Sequence, residues 1–212
     1  DSNSLPAYRI NEDGALAEWV SPELKDRYDH RHISHLYPVY PGDETLSEDL
    51  KVAANKALDF REEHNTTSAH GLLHLGLMSA RLGNRDRVKL AFDRTAKGGY
   101  YYQSFATSHN RNHAIYNFDL AHGMIALIYQ SMVYSDENSI EFFKTWPENL
   151  QQNGEITGLA TFAGVDVDLK WNNEKLAKAT LHPLSDTKIT VVYGSKRQIL
   201  NLEKGRTVVL KY

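Results

Sequence analysis

One change of rhythm governs what this chain can become. From Ser47 to about Tyr134 apolar residues recur at spacings of three and four. From Glu155 onward they alternate, with Val165, Val167, Leu169 and Trp171 set against Asp166, Asp168 and Lys170. The first spacing lays a stripe along a helix and the second lays one face on a strand, so neither segment suits the other's structure. The chain therefore reads as α+β, helices first and an antiparallel β module last. The boundary near Trp146-Pro147 sets two domains, 1–150 and 151–212.

Within the first part, Leu50, Ala53, Ala54, Ala57 and Leu58 predict a helix that opens at Ser47, with Glu48 and Asp49 in its first turn. A second helix is expected from Thr67 or Ser68 to Leu82. Leu72, Leu73, Leu75, Leu77 and Met78 make it apolar nearly all round, so it needs neighbours on every side. Gly83-Asn84 supplies a stop and a new cap for a third helix over Arg85 to Ala96, and a fourth is expected from about Tyr116 to Tyr134. The first 45 residues read as a long structured loop with one helical turn at Pro22 to Lys25. In the β module, Asn172-Asn173 predicts a hairpin turn. Further strands are expected at Lys175 to Leu181, Lys188 to Tyr193, Arg197 to Leu202 and Thr207 to Lys211. Four helices of this kind do not enclose the second, which predicts a larger helical assembly supplied by upstream residues or a partner. Asp1, not Met, opens the chain and Asp1 to Pro6 reads as a loop, as expected of a piece of a longer polypeptide. Such a piece is expected to fold poorly alone, because it would expose a large apolar face.

Charge and composition narrow the function classes. The net charge of −3 comes without any basic stripe, so a nucleic-acid partner has no electrostatic support. No apolar run approaches the roughly 18 residues that span a bilayer. With no cysteine among the 212 residues, disulfides and thiolate chemistry are excluded. A phosphate loop, a nucleophile elbow and a dinucleotide fingerprint are also missing from the sequence.

The chemistry concentrates in Asp29-His30-Arg31-His32-Ile33-Ser34-His35-Leu36-Tyr37, closed by Tyr40-Pro41-Gly42. Fixed donors beside aromatic rings suit a ligand with many hydroxyls. The same loop could be a purely structural hydrogen-bonding element. It could also hold a metal through Asp29, His30, His32 and His35, but the spacing matches no metal motif and Arg31 would oppose a dication. His70 and His74 lie four apart, as in a metalloprotease helix, but Gly71 stands where the signature needs Glu. They read as core or pocket histidines. Glu18-Trp19 pairs a carboxylate with an indole, a combination common in sugar sites. A second polar cluster, His109 to His113, leads to Asn117, Asp119 and His122. Two such clusters at helix borders predict converging walls of one pocket.

These residues resemble glycoside hydrolase family 95, the inverting α-L-fucosidases and L-galactosidases. Ile10-Asn11-Glu12-Asp13-Gly14-Ala15-Leu16-Ala17-Glu18-Trp19 is similar to the family's Gly-x-Leu-x-Glu-Trp segment. The likeness continues in His30-Arg31-His32-Ile33-Ser34-His35-Leu36-Tyr37, Tyr40-Pro41-Gly42 and Ala80-Arg81-Leu82-Gly83-Asn84. Gly154, Ile156, Gly158-Leu159 and Val165 to Trp171 resemble the start of its C-terminal β domain. The resemblance implies that this chain forms the last helices of an (α/α)6 barrel followed by that β domain. It further implies that Arg31 and His32 bind sugar hydroxyls, that His109 stands on the opposite wall, and that Glu18, Trp19 and Asn117 contribute to substrate binding. A periplasmic or extracellular location, a fucosylated or L-galactosylated glycan as partner, and no cofactor are expected with it.

The sequence departs from the family at two places. The family's base is the Asp of Ile-Asp-Gly-Asn-Phe-Gly. Here the segment reads Ala114-Ile115-Tyr116-Asn117-Phe118-Asp119, so Ile115 holds the base position. The family's Gly-Thr-Gly-Trp-Ser becomes Thr66-Thr67-Ser68-Ala69-His70-Gly71. Asp119, expected about one helical turn (~5 Å) beyond Ile115, is the nearest replacement base. The general acid is expected upstream of Asp1. The alternative is a catalytically inactive relative that binds carbohydrate.

Overall fold

Ser47 opens α1 (Glu48–His64): its hydroxyl accepts the Leu50 N–H, and Ala53, Ala54, Ala57 and Leu58 form the buried stripe. Ser68 caps α2 (Ala69–Leu82) by accepting the Gly71 N–H, and Gly83 closes it at φ +77°, where only glycine avoids a Cβ penalty. Asn84 then caps α3 (Arg85–Lys97), and α4 spans Asp119–Met132. The computed structural model describes residues 5–64, 67–113 and 115–212. Asp1 to Ser4 of the expected opening loop, Thr66 and Ala114 lie outside the described residues. The chain forms two compact units, Asp1–Leu127 and Ile128–Tyr212.

In the first unit α2 lies between two apolar cores. Leu75 and Met78 pack with Leu16, Ile33, Leu36 and Leu58 on one side. Leu72, Leu73 and Leu77 pack with Val88, Ala91, Tyr100, Leu120 and Leu127 on the other. The all-round apolar character of α2 is thus met within this chain, and the expected need for outside neighbours there is corrected. Some uncovered apolar side chains lie on and just before α4, where Phe118 and Ile125 are 55% and 67% exposed. Two glycines set the approach of α4 to α2. A Cβ on Gly123 would lie 2.1 Å from Leu73 Cδ2, and one on Gly76 would lie 2.8 Å from Leu127 Cδ2.

Three local expectations are corrected. Pro22–Glu23 form a turn, not a helical one, and the short 3-10 helix of the opening loop is Ser34–Leu36. Helix α4 begins at Asp119 and not at Tyr116, because Tyr116–Asn117 (β2) pairs with Thr107–Ser108 (β1) as an antiparallel ribbon. No helical turn therefore separates Ile115 from Asp119. Helix α4 also ends before Tyr134, where the chain turns extended.

The second unit holds two four-stranded sheets. One orders β10 (Val208–Lys211), β7 (Lys175–Pro183), β6 (Val165–Asn172) and β5 (Asn153–Leu159), all antiparallel. Val165, Val167, Leu169 and Trp171 face its interior, as their alternation requires. The other orders β3 (Val133–Ser135), β4 (Ser139–Phe142), β8 (Thr187–Tyr193) and β9 (Lys196–Leu202). Here β4 runs parallel to β8, so the module is mixed and not wholly antiparallel. The hairpin turn sits one residue beyond its expected place, at Asn173 and Glu174, both at positive φ. Edge-on ring contacts of Phe143 with Trp171 and of Tyr193 with Tyr212 tie the sheets together. No helix among the described residues is long and apolar enough to cross a membrane.

Candidate active site

The wall that carries Arg31 is built around a buried cation. Arg61 continues the buried stripe of α1 three residues after Leu58 and is 2% exposed. Its Nη1 donates to the carbonyls of His30 (2.6 Å) and His32 (3.2 Å), and its Nη2 faces Glu18 Oε2 at 3.4 Å. Glu18 Oε2 also accepts the Arg27 N–H at 3.1 Å. The peptide is thereby fixed on both sides of Arg31. Ile33 and Leu36 anchor the following turn in the core shared with Leu16 and Leu58, leaving Arg31 and His32 exposed. Glu18 acts from behind this wall, and Trp19 is 45% exposed while its carbonyl accepts from Arg9. Neither lines the cleft.

The facing wall is held by the backbone. The His109 N–H donates to the Ile115 carbonyl at 2.8 Å, and the Ala69 N–H at the start of α2 donates to the His109 carbonyl at 3.0 Å. Buried Thr107 donates through Oγ1 to the Asn117 carbonyl (2.8 Å) and accepts the Ala121 N–H (3.3 Å), joining the ribbon to α4. Asn117 Nδ2 then reaches Asp119 Oδ2 at 3.2 Å and His109 Nδ1 at 3.3 Å. The amide orientation follows from charge, since a flipped oxygen would face the carboxylate. With Nδ1 accepting, a neutral His109 keeps its proton on Nε2.

Between the walls lies an open cleft of about 680 Å³. Arg27, Asp29, His30 and Arg31 border it on one side, and Ser68, His109, Asn110 and Ile115 on the other. Arg27 is paired with Asp29 at 3.3 Å. Ile115, 53% exposed, places a branched alkyl group on the lining. Asp119 stands beside the cleft as a half-exposed carboxylate whose Oδ2 lies 3.6 Å from His70 Nδ1.

Histidines continue inward from there. His30 meets His32 (ring centroids 5.2 Å), His32 meets His70 edge-on (4.8 Å), and His70 meets His74 (4.1 Å). Burial, followed by the charges of Arg31, His30 and His109, holds His32 below the ordinary imidazole range. Burial and then His32 lower His70, and burial and then His70 push His74 down to about 4. At neutral pH the lowered rings of His32, His70 and His74 are uncharged, so each carries one donor and one acceptor nitrogen. His35, outside this row, is also lowered to about 4 by burial and the Arg61 charge. Among the described residues, no three such side chains gather in a geometry that could hold a metal ion.

Two domain models of one family match the chain. The glycosyl hydrolase family 95 catalytic domain covers residues 1–132, and the glycoside hydrolase family 95 C-terminal domain covers 134–211. The chain belongs to glycoside hydrolase family 95. Alpha-L-fucosidase 2 of Arabidopsis thaliana is 27% identical over 214 residues, a stretch that takes in 95% of this chain. The chain spans about a quarter of that relative's length. The junction of the two matched segments falls where α4 ends and β3 begins.

Of the residues expected at the site, the structure brings Arg31, His32, His109, Asn117 and Asp119 to or beside one cleft. Sequence reasoning missed Arg61, which a pattern reader takes for a solvated cation, and undervalued His70, whose four-residue spacing to His74 was the available signal.

Proposed function

We propose that this chain is the C-terminal part of a glycoside hydrolase that releases terminal α-linked L-fucose, or the related L-galactose, from glycans with inversion at the anomeric carbon. In this reading α1 to α4 are the last helices of an (α/α)6 barrel. Upstream residues of the same polypeptide complete the site, and the enzyme works in the periplasm or outside the cell. The observation that carries the reading is the meeting of Arg31 and His32 from one wall with His109, Asn117 and Asp119 from the other.

Inversion needs a carboxylic acid and a carboxylate about 6.5–9.5 Å apart, so that a water fits beneath the sugar ring. Asp119 is the base. Its Oδ2 is occupied by Asn117, leaving Oδ1 to take a proton as that water bonds to the anomeric carbon. The bond to the leaving oxygen breaks on the opposite face, and the upstream acid protonates that oxygen. Arg31, His32 and His109 Nε2–H bind ring hydroxyls, and Ile115 packs on an apolar edge of the sugar. Glu18 acts through Arg61 on the loop that carries Arg31. The scheme uses two carboxylates and water, with no cofactor.

The test is hydrolysis of an α-1,2-fucosyl-galactoside and its L-galactosyl counterpart by the longest natural polypeptide that carries this chain, with the first-formed anomer followed by proton NMR. Release of either sugar as the β-anomer is expected. Sugar binding without release contradicts the reading and makes the protein a binder.

A further inference from the structure

His70 lies on α2, two residues beyond the cap Ser68 that pairs with Asn110, and its side chain is 17% exposed. It faces Asp119 across the α2–α4 approach that Gly123 permits. Asp119 Oδ2 is therefore met from two directions, by Asn117 Nδ2 at 3.2 Å and by His70 Nδ1 at 3.6 Å. A carboxylate only accepts, so the imidazole turns an N–H toward it and keeps Nε2 as the bare nitrogen. That Nε2 is buried and has no protein partner among the described residues. A second proton there would be buried without an acceptor, which disfavours the imidazolium. The His32 and His74 rings both contact it.

We infer that His70 is a positioning residue for Asp119: its neutral Nδ1–H, with Asn117, pins one carboxylate oxygen and directs the other at the reacting water. This rests on Asp119 being the base. The 3.6 Å separation lies just beyond hydrogen-bond length and shortens when a sugar closes on the site. The groups facing His70 are His32 and Arg31 from the loop, His74 from its own helix, His109 from the ribbon and Asp119 from α4. Apart from Asp119 they are cationic or able to become so, and they oppose a second proton on His70.

The test compares His70→Phe, His70→Gln and Asp119→Asn in the longest natural polypeptide, reading kcat against pH on the fucosyl-galactoside. His70→Phe keeps a ring between its neighbours but removes the donor. It is expected to lose about tenfold in kcat, the worth of one hydrogen bond to a charged group, and to move the acid limb to higher pH. His70→Gln keeps a donor and is expected to restore most of kcat. Equal losses in both variants with an unmoved acid limb indicate packing alone and overturn the inference. Wild-type behaviour in both, with Asp119→Asn inactive, overturns it and leaves Asp119 as base. Full activity in Asp119→Asn, or no turnover in the parent, removes Asp119 and this inference together. If His70→Phe does not fold, the His70 imidazole titration decides. Its midpoint must fall in Asp119→Asn, because the carboxylate raises it, and an unchanged midpoint overturns the coupling.

Discussion

The helical unit and the β unit use polar groups in opposite ways. In the first, charged side chains are buried: Arg61 fixes the Arg31 loop, and Arg87, 5% exposed, ties α3 to Asn55, Asp59 and Glu62 of α1. In the second, polar pairs sit at the surface of a sheet whose register is already set by alternation, as with the hydrogen bond of His182 Nε2 and Asp168 Oδ2 at 2.8 Å. The contrast shows where specificity is stored. A regular sheet orders itself through its apolar face, whereas an irregular cleft wall needs a buried polar group to satisfy its carbonyls.

The sharpest break of this contrast is Arg61→Ala. It leaves the Glu18 carboxylate without its cation and the carbonyls of His30 and His32 without the Arg61 donor, and a loss of about 3–5 kcal/mol is expected in denaturant unfolding. A loss below about 1 kcal/mol would mean that the wall stands without its cation. Thr107→Val tests the other wall of the helical unit. It removes one hydrogen bond donated within the ribbon to Asn117 and one accepted from Ala121 of α4, and should cost about 1–3 kcal/mol and loosen Asp119.

Acid separates the two units further. His35 and His74 are lowered to about 4 in the fold, so the unfolded chain binds their protons first as pH falls through about 6.5. The helical unit therefore loses stability between about pH 6.5 and 4, at up to roughly 1.4 kcal/mol per pH unit for each histidine. Asp168 behaves differently: the His182 hydrogen bond and then the Gly158 N–H hold its carboxyl below the ordinary range. Its contribution is present above about pH 4 and is lost only as pH drops through the lower folded value. Denaturant unfolding at pH 7, 5 and 3, followed by a probe in each unit, should show the helical unit weakening first. Asp168→Asn should cost about 0.2–1 kcal/mol at pH 7 and nothing at the acid end.

An effect of similar small size runs the other way. Glu174 holds φ +65° in the β6–β7 turn, a conformation costly for a residue with a Cβ. Glu174→Gly should stabilise the β unit by about 0.5–1 kcal/mol in thermal unfolding, and a destabilisation would contradict the turn assignment.

Legibility followed the same divide. The β6 face was readable because period two is a local signal, and α2 was readable because Ser68 and Gly83 punctuate it. The parallel pairing of β4 with β8 was not, since strands about 50 residues apart carry no local mark of each other's register. The two-residue strands β1 and β2 are too short for any period, so the segment before Asp119 was read as helix. In the site, the types and clustering of Arg31, His32, His109 and Asn117 carried the reading. The contact of His70 with Asp119 depends on how closely α4 approaches α2 at Gly123, a long-range packing that no local pattern around His70 marks.

The account turns on Asp119. The most direct measurement is kcat of Asp119→Asn in the longest natural polypeptide, on the fucosyl-galactoside, beside Ile115→Ala. Loss of general-base catalysis predicts a fall of about 10²–10⁴ for Asp119→Asn, with a far smaller change for Ile115→Ala. An Asp119→Asn variant that turns over like its parent would contradict the assignment.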